Sequence, residues 1–297
     1  GLIIISALAL AIFSVKGDSV TTDESPHVTA GYSYLTQQDM RLNPEHPPLM
    51  KDLAAIPLLF QNLNFDAEHY SWKTDINGQW TFGTHFLYES GNNPDKIIFS
   101  ARLAVMLIFV LLGLMVYIWT KERYGAKTGL LGLFLTVFSP NIIANGRYVT
   151  TDVAAAFAFV LGSYFFVKYI SNQTKKNLVY AGFAFGVAQL LKFSLIILAP
   201  LFIFTGFVYW IVSKKISFAK LVASLTGIFI IGALVIWPVY EFHVYKYPPQ
   251  RQKIDTQFAL RSYQVKPLAD AVIWAADKPL LRPYAQYSLG LLMVFQR

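Results

Sequence analysis

Apolar residues in this chain come in long runs instead of alternating. Near-continuous apolar segments occupy 2–15, 97–119, 129–143, 153–170, 178–191, 195–212 and 218–238. A helix needs roughly 20 mostly apolar residues to cross the hydrocarbon of a bilayer. The pattern therefore predicts an all-α polytopic membrane protein of about seven transmembrane helices, the first cut short. A long first loop, 16–96, separates the first two spans, and its pattern predicts juxtamembrane amphipathic helices.

Within that loop Ser25-Pro26 reads as a helix start, because Ser caps free amides and Pro costs no hydrogen bond in a first turn. A helix over 26–40, lying near the membrane surface, is expected. Asn43-Pro44-Glu45-His46-Pro47-Pro48 reads as a stiff turn, since each Pro fixes its own φ and pushes its predecessor extended. A second helix, 48–60, follows with Leu49, Leu53, Ile56, Leu59 and Phe60 as its apolar face and a kink at Pro57. The stretch 66–93 reads as irregular or hairpin structure, with Trp72 and Trp80 suited to the headgroup zone. After 239 the chain turns polar and aromatic, with a surface helix expected near 255–263. The division this implies is a transmembrane catalytic unit, 1–238, with the loop 16–96 inserted, and an outer-face segment of loop and surface helices, 239–297. Gly1 inside an apolar run and Arg297 after another give the expectation of a piece of a longer protein, truncated before further spans.

Composition changes little in this picture. Hydrophobic residues make up 55% and charged ones 14%, which fits a membrane solvent better than water. There is no Cys, which excludes disulfides, thiolate catalysis and thiolate metal sites. The net charge of +8 would raise nucleic acid as a partner in a soluble protein. Here the cations sit in short connectors, and membrane orientation accounts for them without nucleic acid.

Three connectors are basic: Lys121, Arg123 and Lys127; Lys168, Lys175 and Lys176; Lys214, Lys215 and Lys220. The alternate ones carry only Arg147 and Lys192. Positive connectors stay inside, so 16–96, 144–152, 192–194 and everything after 239 are expected on the outer face. The first loop also holds most of the acids, with four of the five His, at 27, 46, 69 and 85.

Four constellations there carry possible chemistry. Asp23-Glu24 precedes the first loop helix, where the dipole favours carboxylates; such a group either caps the helix or accepts a proton from an alcohol. Glu45-His46 is a possible metal-ligand pair, weak without further spacing. Arg147 and Asp152 flank a short connector, where Asp152 either caps the next helix or faces a ligand. Lys192 stands at an apolar span junction, where a cation snorkels, pairs or binds an anion. Arg102, one turn into the second span, has the same readings, with snorkelling preferred.

Asp23-Glu24-Ser-Pro-His27 with Gly31-Tyr32, Asn43-Pro-Glu45-His46-Pro-Pro-Leu-Met-Lys51, Arg147 to Asp152, and Lys192-Phe193 occur in that order. Together they resemble the polyprenyl-phosphate-dependent membrane glycosyltransferases of the C-type fold, in the bacterial protein O-mannosyltransferase-like and aminoarabinose-transferase-like branch. The resemblance implies inverting, metal-assisted transfer of a sugar from a polyprenyl phosphate to a protein or glycolipid hydroxyl. The site would face the periplasm or exterior, in the bacterial plasma (inner) membrane. By position it implies Asp23, Glu24 and Asp152 as catalytic acids, Lys192 and Arg147 as phosphate contacts, and a divalent metal ion at Glu45 and His46. That branch has Lys where this chain has His46. The competing reading is a transporter or flippase of lipid-linked intermediates without covalent chemistry. It would need polar residues and broken helices at mid-span, where this chain is apolar or small.

Overall fold

A computed structural model describes residues 1–296, and every regular element among them is helical. In chain order these are α1 (Leu2–Val15), α2 (Glu24–Gln37), α3 (Leu49–Ala55) running into a 3-10 turn (Ile56–Phe60), α4 (Tyr70–Lys73), and α5 (Gln79–Thr84) running into a π turn (His85–Glu89). Then come α6 (Pro94–Tyr124), α7 (Ala126–Val137), α8 (Pro140–Asn145), α9 (Asp152–Ser171) and α10 (Lys175–Leu191). A 3-10 turn (Phe193–Ile197) leads into α11 (Leu198–Ser213), followed by α12 (Phe218–Val244), α13 (Pro249–Ala259), α14 (Lys266–Ala275) and α15 (Arg282–Phe295).

Among the described residues four helical stretches are long and apolar enough to cross a membrane: Pro94–Tyr124, Asp152–Ser171, Phe193–Ser213 and Phe218–Val244. In the last two only 22% of the most apolar window is buried inside the protein. Apolar side chains that face outward over such lengths need lipid as their solvent. The other expected spans are helical but short. α1 has 14 residues and α10 has 17. The expected span 129–143 is broken: α7 stops at Val137 and Ser139-Pro140 opens α8. The cause is Pro140, which lacks an N–H and forces its predecessor out of the helical region; Ser139 is extended, with ψ 123°.

The bundle packs α6 on α7 and α9, and α10 on α9 and α12. Gly182 and Gly186 let α10 and α12 approach closely, since a Cβ on either would lie within 2.9 Å of an α12 atom. The first loop folds over one end of this bundle, α2 against α3 and α5, with the C-terminal helix α15 against α12. Arg251 donates to the carbonyls of Thr74 and Asp75, and Gln286 to that of Met40, at 2.7–3.0 Å. The segment after 239 is thereby fastened onto the first loop.

Two expectations for the loop need correction. α2 does not lie amphipathically on a surface: Glu24 and Pro26 to Tyr34 are all buried. α3 and its 3-10 extension turn part of the expected apolar face outward. Met50, Lys51, Asp52, Ala54 and Ala55 are buried, whereas Ile56, Leu59 and Phe60 are exposed. Beside a membrane an apolar face has lipid to meet and the polar groups gain by turning inward. The stretch 66–93 is neither irregular nor a hairpin; it forms α4, α5 and the π turn, with Trp72 buried against Phe65 and Phe82. The kink at Pro57 is present as the change from α to 3-10 at Ile56.

Candidate active site

The site is built from the start of α2. The helix begins at Glu24, one residue before the expected cap, and Asp23 occupies the cap position without a side-chain cap bond. Glu24 turns back instead, accepting from the Thr21 amide at 2.9 Å, as the acid of a capping box does. Its carboxylate also receives Arg102 in a two-pronged pair, Nε to Oε1 and Nη2 to Oε2, both at 2.7 Å, and the Val149 amide at 3.0 Å. Burial opposes the charge, but Arg102 and the Thr21 and Val149 amides together hold the Glu24 carboxyl below its usual range. Arg102 is thus buried and paired instead of snorkelling.

Val149 serves α2 twice. Its carbonyl accepts from His27 Nδ1 at 3.0 Å, which fixes the tautomer and leaves Nε2 with the lone pair. Burial and then the charge of Lys51 push His27 below the ordinary imidazole value, with Asp23 and Glu45 acting in the opposite direction. His27 also meets the ring of His46 edge-on, centroids 4.8 Å apart. The Asp23 segment, the 146–152 connector and the Asn43–Pro48 turn therefore touch one another.

The turn is held by a lysine that sequence reasoning quoted but gave no task. Lys51 is fully buried and its ammonium donates to the Asn43 and His46 carbonyls at 2.8 Å, to Asn43 Oδ1 at 3.0 Å and to the Tyr34 hydroxyl at 2.8 Å. Burial draws it down to about 7, with Glu45 and Asp52 resisting. Gly31 permits this arrangement, because a Cβ there would fall 2.1 Å from the Lys51 carbonyl oxygen. Glu45 projects from the same turn and accepts from Gln79 at 2.5 Å and Asn77 at 3.1 Å.

At the C-terminal end of α10, Lys192 Nζ reaches Asp152 Oδ1 across 40 residues of sequence, at 2.5 Å. Both are partly open to solvent, with side-chain exposures of 27% and 56%, so the lysine is able to exchange its partner. Gly290 of α15 joins this junction to the turn. A Cβ on Gly290 would sit 2.2 Å from the Pro44 carbonyl oxygen and 2.5 Å from the Phe193 ring. Gly290→Val should consequently separate the turn from the Lys192 junction and destabilise the fold by about 1–3 kcal/mol, the usual cost of overpacking. A fall in the thermal midpoint measured in detergent checks this.

The expected site residues separate into three groups. Asp23, at the exposed start of α2, makes no side-chain hydrogen bond or ion pair among the described residues and is available. Asp152 and Lys192 are brought together at the same end. Glu24 and Arg147 are committed elsewhere. Glu24 is buried with both oxygens occupied by Arg102 and the Thr21 and Val149 amides. Arg147 donates to the Ser14 carbonyl at 2.6 Å and lies 3.3 Å from Asp18, an anchor for α1.

The expected metal pair, Glu45 and His46, stands on adjacent residues of the Pro-rich turn. Glu45 already accepts two side-chain amides. Three metal-binding side chains with donor atoms close enough to share an ion occur elsewhere among the described residues. No step below is routed through a metal. The residues that sequence reasoning missed are Lys51, Asn77, Gln79 and Gly290. Lys51 alone carried a signal, as a cation beside Asp52 in a mostly apolar helical stretch.

Comparison with known families gives one finding. Residues 95–240 match the family model described as dolichyl-phosphate-mannose-protein mannosyltransferase. The matched stretch contains Arg102, Arg147, Asp152 and Lys192 and starts after Asp23, Glu24, Glu45 and His46. No curated protein matches the chain. Over residues 95–240, just under half of the chain, with candidate spans and the Asp152–Lys192 pair inside that stretch, the chain is similar to the dolichyl-phosphate-mannose-protein mannosyltransferase family.

Proposed function

We propose that this protein transfers a sugar from a polyprenyl-phosphate donor to a hydroxyl of a protein or glycolipid acceptor, with inversion at the anomeric carbon. The observation that carries the reading is the meeting of four stretches at one end of the bundle. The start of α2 meets Val149, His27 meets His46, Pro44 and Phe193 close on Gly290, and Lys192 pairs with Asp152.

In this reading the acceptor oxygen attacks the anomeric carbon from the face opposite the phosphate. The new C–O bond forms as the bond from the anomeric carbon to the phosphate oxygen breaks, and the electron pair leaves with the phosphate. The acceptor proton passes to Asp23, whose carboxylate is the unengaged one. The donor is a phosphodiester carrying one charge, and the product is a monoester carrying up to two. Lys192, released from Asp152, meets that growing charge. A phosphate leaves without a general acid, so the second carboxylate of a glycosidase pair is not required. Glu24, Arg102 and Lys51 position the stretches and take no proton from substrate.

The basic connectors lie at the opposite end of the bundle. That supports an outer-facing site in a plasma membrane, the inner membrane in a bacterium. Lys192→Met removes one charged contact to phosphate, worth about 1.5–3 kcal/mol. It should lower kcat about 10–100-fold with a smaller change in KM, as measured by initial rates over donor concentration.

Mass spectrometry of glycans and lipids from cells with and without the gene tests the proposal. A modification absent from the deletion strain should return with the wild-type gene and not with Asp23→Asn. Unchanged glycans and lipids, with donor accumulated on one leaflet, would favour the flippase instead.

A further inference from the structure

The first loop carries a second group of metal-binding side chains, away from the residues of the proposed reaction. One donor atom each from His69, His85 and Glu89 lie within 4.8 Å of one another. We infer that His69, His85 and Glu89 form a binding site for a first-row divalent transition metal ion of the zinc class.

The backbone builds this group from two elements. His69 is the cap residue of α4, and its Nδ1 lies 2.7 Å from the Ser71 hydroxyl. The Ser71 amide also donates to that nitrogen, at 3.4 Å. His85 and Glu89 are the two ends of the π turn, a widened turn found mostly at functional sites. His85 Nδ1 is 3.1 Å from Glu89 Oε2. Two ligands bound at about 2.0–2.1 Å in a tetrahedral shell stand at nearly that separation.

The other side of the His85 ring supplies an independent observation. Nε2 is buried without a hydrogen-bond partner, 3.3 Å from Asp66 Oδ2. The ring therefore stands between the Asp66 and Glu89 carboxylates with a polar atom that a metal ion would satisfy. The two imidazoles stack, centroids 3.9 Å apart and 15° from parallel. An ion lies in the ring plane of each histidine that binds it, so loading turns one ring out of the stack. Two imidazoles with one carboxylate suit zinc and its neighbours, whereas calcium and magnesium prefer oxygen donors. The ion would staple the Asp66–Ser71 segment to the π turn and close the loop above Trp72.

The inference does not depend on the sugar-transfer reading, and its test reads metal binding alone. Full-length protein purified with a histidine-free tag, stripped with EDTA, is titrated with Co2+ while the visible d–d absorption is followed. The expected result is one ion per chain with a tetrahedral band, weakened at least tenfold by His69→Ala and by Glu89→Gln. Glu89 is exposed, so its variant keeps the fold, which circular dichroism verifies. Asp66→Asn should weaken binding about 10–100-fold through loss of the carboxylate beside the His85 ring. Equal Co2+ binding by the wild type, His69→Ala and Glu89→Gln would overturn the inference. So would binding abolished by His46→Ala and untouched by Glu89→Gln, because the ion would then sit at the other pair.

Discussion

Replacing Asp23 with Asn should reduce sugar transfer by about 10²–10⁴-fold, the usual contribution of a positioned general base. Expression, detergent extraction and thermal midpoint should stay as in the wild type. The reason for expecting a clean separation is local. Asp23 makes no side-chain hydrogen bond or ion pair among the described residues, and it occupies its cap position without capping. The amide keeps the shape and loses the ability to accept the proton. A single-turnover assay with radiolabelled polyprenyl-phosphate sugar measures the loss. Transfer within threefold of the wild type would assign proton acceptance to another group.

The opposite combination is expected at Arg102. Arg102→Met leaves the fully buried Glu24 carboxylate without its cation, and breaking a buried pair in this way costs about 3–5 kcal/mol. Two further partners stand to be disturbed, since Arg102 also donates to the Ser19 carbonyl at 2.9 Å and Glu24 holds the Val149 amide. The thermal midpoint should drop sharply, and Glu24→Gln combined with Arg102→Met should recover most of it. If the single variant melts with the wild type, the pair does not anchor α2.

The same anchor has a pH signature. The Glu24 carboxyl is held below its ordinary value of 4.5 in the folded protein. Its contribution is therefore fully present above pH 4.5 and disappears as the pH falls through the lower, folded value. The wild type should lose stability on that acid limb, and the Glu24→Gln, Arg102→Met double variant should lose less.

The membrane helices were readable because lipid imposes a simple pattern: long apolar runs with cations between them. Reading was poorer wherever protein replaced lipid or water as the neighbour. α3 shows this most plainly. Its apolar stripe was legible, but the burial of Lys51 and Asp52 behind it, with Ile56, Leu59 and Phe60 outward, was not. Arg102 was expected at the membrane edge because nothing in the sequence tied it to Glu24, 78 residues earlier. α4 and α5 are four and six residues long, too short to show a helical period or to be stable alone.

Of the candidate site, the start of α2, the Pro-rich turn and the Asp152 and Lys192 positions were visible as residue types in a suspicious place. What each touches was not. The duty of Glu24 as an anchor, and of Arg147 as a tie to α1, follows from partners supplied by distant elements. Gly290 was silent in the sequence, because the need for a glycine arises only where Pro44 and Phe193 crowd it.

Photolabelling gives the most direct test of the claim that a lipid-borne phosphate is received where the four stretches meet. A polyprenyl-phosphate sugar with a diazirine on the sugar is cross-linked to the purified protein in nanodiscs, and labelled peptides are sequenced. Label in the segments around Asp23, 43–48, 146–152 and 190–194, competed by unlabelled donor, is the predicted result. Competable label confined to the basic end of the bundle, near Trp119 and Arg123, would contradict the account.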